Sequence, residues 1–263
     1  MSGTRRAAVA GMFYPASANA LRAALAAAYA GAAVVEPSAP AVAVVAPHAG
    51  YVYSGPIAAT AYCALRPLAG TVTRVVLLGP SHHVPFAGVA VPTVDALATP
   101  LGDVRVDTEA RACVLGLPGV IAADAPHAQE HSLEVHLPFI VDALGDVAVL
   151  PVAVGRATDD VVAAVIDAVW DGPSVIPIVS TDLSHYLPYR EAAVRDHITA
   201  AHVEAGRVEE IGPYDACGYR PLRGLMVAAR RRNLAVKAVD LRSSGDTAGD
   251  AARVVGYGAF LVG

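Results

Sequence analysis

Histidines follow three predicted strands of this sequence, at the point where each strand ends. The pairs of strand and histidine are Val42–Ala46 with His48, Val75–Leu78 with His82 and the adjacent His83, and Val175–Val179 with His185. In open α/β sheets, ligands collect at the carboxyl ends of the strands. A single histidine in such a place is more often a hydrogen-bonded core imidazole or a loop cap. Three repeats of the pattern favour a shared pocket.

Two or three histidines in an apolar α/β pocket are typical of a transition-metal site, because neutral imidazole is a good ligand for iron, copper or zinc. A further protein ligand is needed, with positions left open for substrate. Asp182 and His185 are spaced i, i+3, so both can point into a pocket from one turn. Cys217 precedes a predicted helix, whose N-terminus would lower the thiol pKa and make it a thiolate ligand or nucleophile. The alternative for Cys217 is a buried structural cysteine.

The segment from Glu130 to His136 resembles a zinc-protease motif but has the wrong spacing. His131 and His136 are five residues apart, so on a regular helix they lie about 140° from each other and cannot bind one metal. His131 could instead face the pocket from the preceding loop, and Glu134 could orient a metal ligand. Helix capping and surface charge are the alternative explanation for these acidic residues.

The elements that must position these residues alternate between short β-branched runs and longer Ala/Leu-rich segments. Continuous apolar strands indicate a sheet covered on both faces. We therefore expect a single α/β layered domain over residues 1–263, with a central, mostly parallel or mixed sheet and helices on both faces. Pro138 and Pro221 would have to lie in the first turns of their helices. The remaining predicted strands are Val147–Val154, Val236–Leu241 and Val254–Leu261, and the predicted helices are Asn19–Ala30 (capped by Ser17), Asp107–Leu115, Leu133–Leu144, Thr158–Trp170, Tyr189–Ala205 and Gly218–Arg232.

The composition excludes several classes of protein. Apolar residues make up 55% of the 263 residues, but the longest uncharged stretch, Pro37–Leu65, contains four prolines and a histidine, which argues against a membrane span. A net charge of −5 argues against nucleic-acid and anionic-membrane partners. Three cysteines are too few for a disulfide framework, and the N-terminus is a poor signal peptide, so a cytoplasmic location is expected. Cys63 and Cys113 lie in apolar helical patterns and are assigned to the core.

Several sequence blocks are similar to the signature blocks of the Memo family, whose prokaryotic members are called AmmeMemoRadiSam system protein B. The resemblance implies a fold similar to the LigB-type class III extradiol dioxygenases, which are non-haem iron enzymes. It also implies an Ammecr-type protein and a radical-SAM protein as partners. The blocks are Gly11–Pro15, Ala46–Gly55, Leu78–His83, Glu130–Pro138, Ser180–His185 and Cys217-Gly218, which together span nearly the whole chain.

By this resemblance, His48 and His82 match the two histidine ligands of the metal, and His185 matches the acid/base histidine, with Asp182 beside it. Cys217 occupies the position where the dioxygenases have a glutamate. A thiolate there makes the site softer, which argues against ring cleavage and shifts the preference towards copper, zinc or a redox role. We expect iron or copper as cofactor, with zinc as the third choice.

Three functions are compatible with these residues. The first is a metal-dependent oxidoreductase of dioxygenase ancestry, in which His48, His82 and Cys217 bind the metal and His185 moves protons. The second is a non-catalytic module that binds a peptide or an enzyme partner. The third is metal-assisted hydrolysis at zinc. The substrate, a small molecule or a peptide, is not identified by the sequence, and Tyr51 is a candidate for lining its pocket.

Overall fold

The structure, a computed structural model, describes residues 3–35 and 40–263. Its strands are β1 (Thr4–Arg5), β2 (Ala43–Ala46), β3 (Arg74–Pro80), β4 (Val89–Val91), β5 (Ala96–Thr99), β6 (Gly102–Arg105), β7 (Val120–Ala122), β8 (Ala148–Val154), β9 (Val175–Ser180), β10 (His185–Leu187), β11 (Val236–Ser243) and β12 (Val254–Val262). Its α-helices are α1 (Ala18–Ala30), α2 (Tyr51–Cys63), α3 (Thr108–Val114), α4 (Ala125–Ala128), α5 (His131–Glu134), α6 (Leu137–Leu144), α7 (Asp159–Val169), α8 (Tyr189–Glu204), α9 (Tyr219–Arg231) and α10 (Ser244–Thr247).

The main sheet has the strand order β10-β12-β2-β9-β3-β8-β4-β7, with β11 also paired to β12. The four central strands, β2, β9, β3 and β8, run parallel to one another, whereas β12 and β4 flank them in antiparallel pairs. A smaller sheet contains β1, β5 and β6. The expected mixed, mostly parallel sheet is therefore confirmed.

Helices cover both faces of the main sheet. Successive strand residues point to opposite faces, so Val44 and Leu77 pack into one hydrophobic core while Val45 and Leu78 pack into the other. The first core lies under α1, α2 and α6, and the second under α3, α7 and α9. Both faces are thus apolar, which explains why the strands show no alternation of polar and apolar residues.

Helix α2 is the main element that the sequence does not predict. It contains Pro56, and its first turns are rich in aromatic, β-branched and glycine residues, which are poor helix formers. Burial stabilises it instead, because Ile57 and Tyr62 are fully buried against the sheet. The start of the uncharged stretch, Pro37, lies outside the described residues. Within the described residues, no helix has the length and apolar character needed to cross a membrane.

Two further expectations are corrected. The helix predicted over Leu133–Leu144 is two helices, because the helical hydrogen-bond series is interrupted between α5 and α6, where the His136 N–H donates to the Leu133 carbonyl three residues back. Pro138 then lies in the first turn of α6. Cys63 and Cys113 are exposed and do not belong to the core. Both residues lie near the C-terminal ends of their helices, which reach solvent.

Candidate metal centre

The candidate site lies at the carboxyl edge of the four parallel central strands. Because these strands are neighbours in the order β2-β9-β3-β8, the loops that follow them emerge side by side. The loop after β2 carries His48, the loop after β9 carries Asp182, and the loop after β3 carries His82. This arrangement brings together residues that are up to 134 positions apart in the chain.

His48 is buried, with 2% of its surface exposed, and its tautomer is determined by its neighbours. Its Nδ1 lies 2.6 Å from the hydroxyl oxygen of Ser180. That hydroxyl donates its only proton to the carbonyl of Ser132 at 2.6 Å, so it must accept from His48 Nδ1–H. The Nε2 atom of His48 therefore keeps its lone pair, which is the form that binds a metal.

His82 is held in the same way by a carboxylate. Its Nδ1 lies 2.8 Å from Glu130 Oε1, and its backbone N–H donates to Glu130 Oε2 at 2.6 Å. Burial would raise the pKa of Glu130, but hydrogen bonds from His82 and Ser132 outweigh burial and lower that pKa to about 2. Glu130 is therefore a carboxylate, His82 Nδ1 is the donor, and His82 Nε2 is free.

His131 completes a cluster of three imidazoles. Its ring stacks on that of His82 at 4.6 Å between centroids and lies 5.4 Å from that of His48. One ligand atom from each of the three histidines lies within 4.8 Å of the others, a spacing that could hold a metal ion. On its other side, the ring of His131 contacts Phe13 at 4.7 Å.

A glycine allows the helix that carries His131 to approach the strand that precedes His82. Gly79, near the end of β3, lies against α5, and a Cβ atom at this position would be 2.8 Å from Ser132 Oγ. Such a contact is shorter than real side chains tolerate, so the close approach of α5 to β3 requires glycine.

Cys217 lies against the cluster. Its Sγ atom is 3.3 Å from His48 Nε2, and it accepts a hydrogen bond from the backbone N–H of Asp182 at 3.3 Å. The expected lowering of the thiol pKa by the helix N-terminus is wrong. Burial raises the pKa of Cys217 to about 12, with a further contribution from the nearby Asp182 carboxylate, and these outweigh the backbone hydrogen bonds. Without a metal, Cys217 is a neutral thiol.

Asp182 and His185 occupy different parts of the site. The Asp182 carboxylate is buried and accepts the backbone N–H of His48 at 2.7 Å, and burial raises its pKa to about 7. His185 is exposed and donates from Nδ1 to the Leu183 carbonyl at 2.8 Å, which leaves Nε2 free. Although His185 reaches solvent, partial burial of its ring, together with the proximity of His82, outweighs the hydrogen bond to Leu183 and lowers the pKa of His185. His185 therefore lies beside the cluster as a neutral base.

The structure places the other predicted site residues around this cluster. Glu134 accepts hydrogen bonds from Tyr14 and from the backbone of Ala8 and Val9 at 2.7–2.9 Å, together with an ion pair from Arg5. It therefore holds the N-terminal segment. Tyr51 donates its hydroxyl to the Val135 carbonyl at 2.7 Å and lines an apolar groove between the segment Gly11–Pro15 and helices α1 and α2.

Sequence reasoning missed two residues that orient the metal-ligand candidates. Ser180 ends β9 and looks like any polar residue at a strand end, so nothing in its context marks it. Helix capping, the alternative explanation for the acidic residues of this segment, does apply to Glu130, which caps α5 by accepting the Ser132 N–H at 3.0 Å. The same carboxylate also binds His82, which helix-capping arguments do not predict. His83, the residue after His82, lies with its ring 5.9 Å from that of His131.

The electrostatics of the cluster favour neutral imidazoles. Burial and the neighbouring histidines lower the pKa of His48 well below its ordinary value, and burial lowers that of His131 to about 4. At neutral pH these rings therefore present lone pairs, with a thiol alongside. Such nitrogen and sulfur donors suit a transition metal rather than magnesium or calcium.

Comparison with known proteins finds similar sequences over nearly the whole chain. Residues 5–261 match the family model described as Memo-like protein. A MEMO1 family protein of Methanococcoides burtonii is 37% identical over 272 residues, covering 98% of this chain and 99% of the relative. A MEMO1 family protein of Aeropyrum pernix is 36% identical, covering 84% of this chain and 83% of the relative. Another, of Methanothermobacter thermautotrophicus, is 38% identical, covering 81% of this chain and 82% of the relative.

Proposed function

Since this chain belongs to the Memo family, we propose that it is a metal-dependent oxidoreductase whose metal is held by His48, His82 and Cys217, with His131 as their neighbour. The observation that carries the proposal is the fixed tautomer of two histidines. Ser180 and Glu130 occupy the Nδ1 atoms of His48 and His82, so both Nε2 atoms are available to one ion. Structural histidines do not need this arrangement, whereas metal-binding histidines almost always have it.

The residues present fit a transition metal. Two imidazole nitrogens and the Cys217 sulfur form a donor set that iron or copper accepts, and a bound cation would favour the thiolate form of a cysteine whose pKa is otherwise raised. One ring nitrogen of His131 lies within 4.8 Å of a ring nitrogen of His48 and of His82, a spacing that could hold one ion, so His131 is the alternative third ligand. When bound, such a metal supplies electron transfer and polarises a coordinated substrate.

The other residues of the site have separate tasks in this proposal. His185 has a free Nε2 atom and stays neutral at neutral pH, so it can take a proton from a substrate hydroxyl or thiol. Asp182 is a positioning residue: its carboxylate binds the His48 backbone, and its own backbone N–H and carbonyl bind Cys217. It therefore fixes the spacing between two of the proposed ligands.

Metal analysis tests the proposal. The protein is purified without added metal under reducing conditions, and its iron, copper and zinc contents are measured for the wild type and for His48→Ala, Cys217→Ser and His131→Ala. Stoichiometric iron or copper that is lost in His48→Ala and Cys217→Ser is the expected result. His197→Ala changes an exposed histidine on α8 and serves as the matched control.

Other results would contradict parts of the proposal. Loss of metal in His131→Ala with full retention in Cys217→Ser would replace Cys217 by His131 as third ligand. Zinc as the only metal would favour hydrolysis over redox chemistry. If none of the three metals binds, or if all variants keep the wild-type metal content, the proposed centre is wrong.

A further inference from the structure

A second cavity, of about 210 Å³, opens beside Cys217 on the side of the site where β8 ends. It is bounded by the loop after β3, by residues 154–156 at the end of β8, and by the first turn of α9. Because Cys217 lines this cavity while its Sγ atom lies 3.3 Å from His48 Nε2, the cavity adjoins the histidine cluster directly.

Two arginines line the cavity and have no acidic partner there. Within residues 3–35 and 40–263, neither Arg156 nor Arg220 has a carboxylate at ion-pair distance. By contrast, Arg223, almost one turn further along α9, is paired with Asp159 at 2.6 Å. The two positive charges at the cavity are therefore available to a ligand.

The Arg220 guanidinium is positioned before any ligand binds. Its Nη1 donates to the Ala157 carbonyl at 3.1 Å, and its carbon atom Cζ lies 4.8 Å from the centroid of the Tyr219 ring. The hydrogen bond to Ala157 uses one of the five N–H donors of the side chain and leaves the others free. A guanidinium held in this way loses little conformational entropy when it binds a planar or tetrahedral oxyanion.

The rest of the cavity also favours a negatively charged ligand. Its first-turn residues come from α9, a 13-residue helix in which the Tyr219 N–H donates to the Ala216 carbonyl and Pro221 has no N–H, so the Arg220 N–H is the one first-turn donor without a partner among the described residues. The positive end of the helix dipole therefore adds to the arginine charges. The remaining walls are mostly apolar, including Pro80, Val84 and Phe86, so charge interactions there are less screened than in water.

We propose that this cavity is a subsite for the carboxylate or phosphate group of a small organic anion, held by Arg156 and Arg220. The assignment of this anion to the substrate rests on the proposed function. In that case the anionic group would be one end of the substrate, and the other end would reach the metal centre past Cys217. Anion binding itself needs no metal. The two proposals can therefore fail separately.

Calorimetric titration with inorganic phosphate and with benzoate tests the subsite. Phosphate can also bind a metal directly, so each titration is done with the wild type as purified and with His48→Ala. At least one probe should bind both proteins. Arg156→Gln and Arg220→Gln should each weaken its binding by about tenfold or more, because each removes charge-assisted hydrogen bonds. Arg220→Lys should recover only part of the loss, since it keeps the charge but not the planar fork.

Arg22→Gln on α1 is the matched control, because Arg22 is exposed and its loss changes the net charge equally. Arg156 is exposed, so its substitution keeps the test valid if Arg220→Gln folds poorly. Arginine-dependent binding in His48→Ala supports the subsite even if the wild type proves to hold no metal. Absence of binding by both probes, or an equal loss in Arg22→Gln, overturns the subsite and leaves the metal proposal standing.

Discussion

The carboxylate of Glu130 binds His82 through both of its oxygens, one accepting the ring Nδ1–H at 2.8 Å and the other the backbone N–H at 2.6 Å. This contact fixes the position of the strand-end loop, the orientation of the imidazole and its tautomer together. Glu130 belongs to the turn before α5, which is 48 positions from His82 in the sequence. The helix start and the histidine loop are therefore one structural unit.

We expect Glu130→Gln to lower metal affinity by about 10- to 100-fold, because the amide cannot accept from the ring, the loop N–H and the Ser132 N–H at once. It should also lower the free energy of unfolding by about 1–3 kcal/mol, since a buried donor loses its partner. Competition with a coloured chelator measures the first effect, and urea unfolding measures the second.

Glu134→Gln is the matched control for this prediction. Glu134 is equally buried and four residues away, but its partners are Tyr14 and the N-terminal backbone. We expect a similar loss of unfolding free energy with unchanged metal affinity. An equal fall in affinity for both variants would mean that Glu130 acts through general stability and not through His82.

Ser180→Ala should weaken metal binding through His48. Without the Ser180 hydroxyl, the imidazole Nδ1–H has no acceptor, so the tautomer that exposes Nε2 is no longer favoured. We expect a loss of about tenfold or more in affinity, measured by the same chelator competition. Ser244→Ala removes a serine that accepts the Val255 N–H at 3.1 Å and, within the described residues, makes no hydrogen bond to a proposed metal ligand, so it should leave affinity unchanged. Equal affinities for Ser180→Ala and the wild type would contradict the tautomer argument.

The sequence predicts which histidines follow the strand ends at this site. It does not predict the side chains that hold those histidines in place. Apolar runs followed by His48 and His82 predict that these residues meet, because parallel strands end at one edge of a sheet. The partners Ser180 and Glu130 depend on side-chain contacts between distant loops, and no local pattern encodes such contacts. The predicted lowering of the Cys217 pKa is wrong for a related reason: the position of Cys217 before a helix is visible in the sequence, whereas its burial is not.

Stability should fall as pH is lowered from 7 to 5. Burial lowers the pKa of His127 to about 4 and that of His136 to about 3. In the unfolded chain both groups titrate near 6.5, so below that pH the unfolded state takes up protons first and is favoured. The loss continues until the folded-state pKa is reached, at about pH 4 for His127.

Urea unfolding at pH 7 and pH 5 measures this effect. We expect each of these two histidines to account for about 2 kcal/mol of the decrease in unfolding free energy. His127→Gln should therefore reduce the difference between the two pH values by about 2 kcal/mol, while His197→Gln, at an exposed position on α8, should not change it. If the difference between the two pH values is the same in His127→Gln as in the wild type, the assignment to His127 is wrong.

Gly218→Ala should disturb both stability and the position of Cys217. A Cβ atom at this glycine would lie 2.6 Å from the Ser180 carbonyl oxygen and 2.7 Å from Thr181 Cβ, so the start of α9 would have to move away from the end of β9. We expect a loss of about 1–3 kcal/mol in unfolding free energy, as for other overpacked sites. Because Cys217 is the preceding residue, its sulfur should move relative to His48 and metal affinity should fall as well.

Gly116→Ala controls for the general effect of replacing a glycine, because a Cβ atom there meets only the Cys113 carbonyl oxygen at an ordinary 3.5 Å. Urea unfolding and chelator competition should show little change in this variant. If Gly218→Ala loses stability but keeps full metal affinity, the sulfur of Cys217 does not contribute to the centre, and His131 becomes the third ligand. If Gly218→Ala keeps both its stability and its metal affinity, the close contact between α9 and β9 does not determine the geometry of the site.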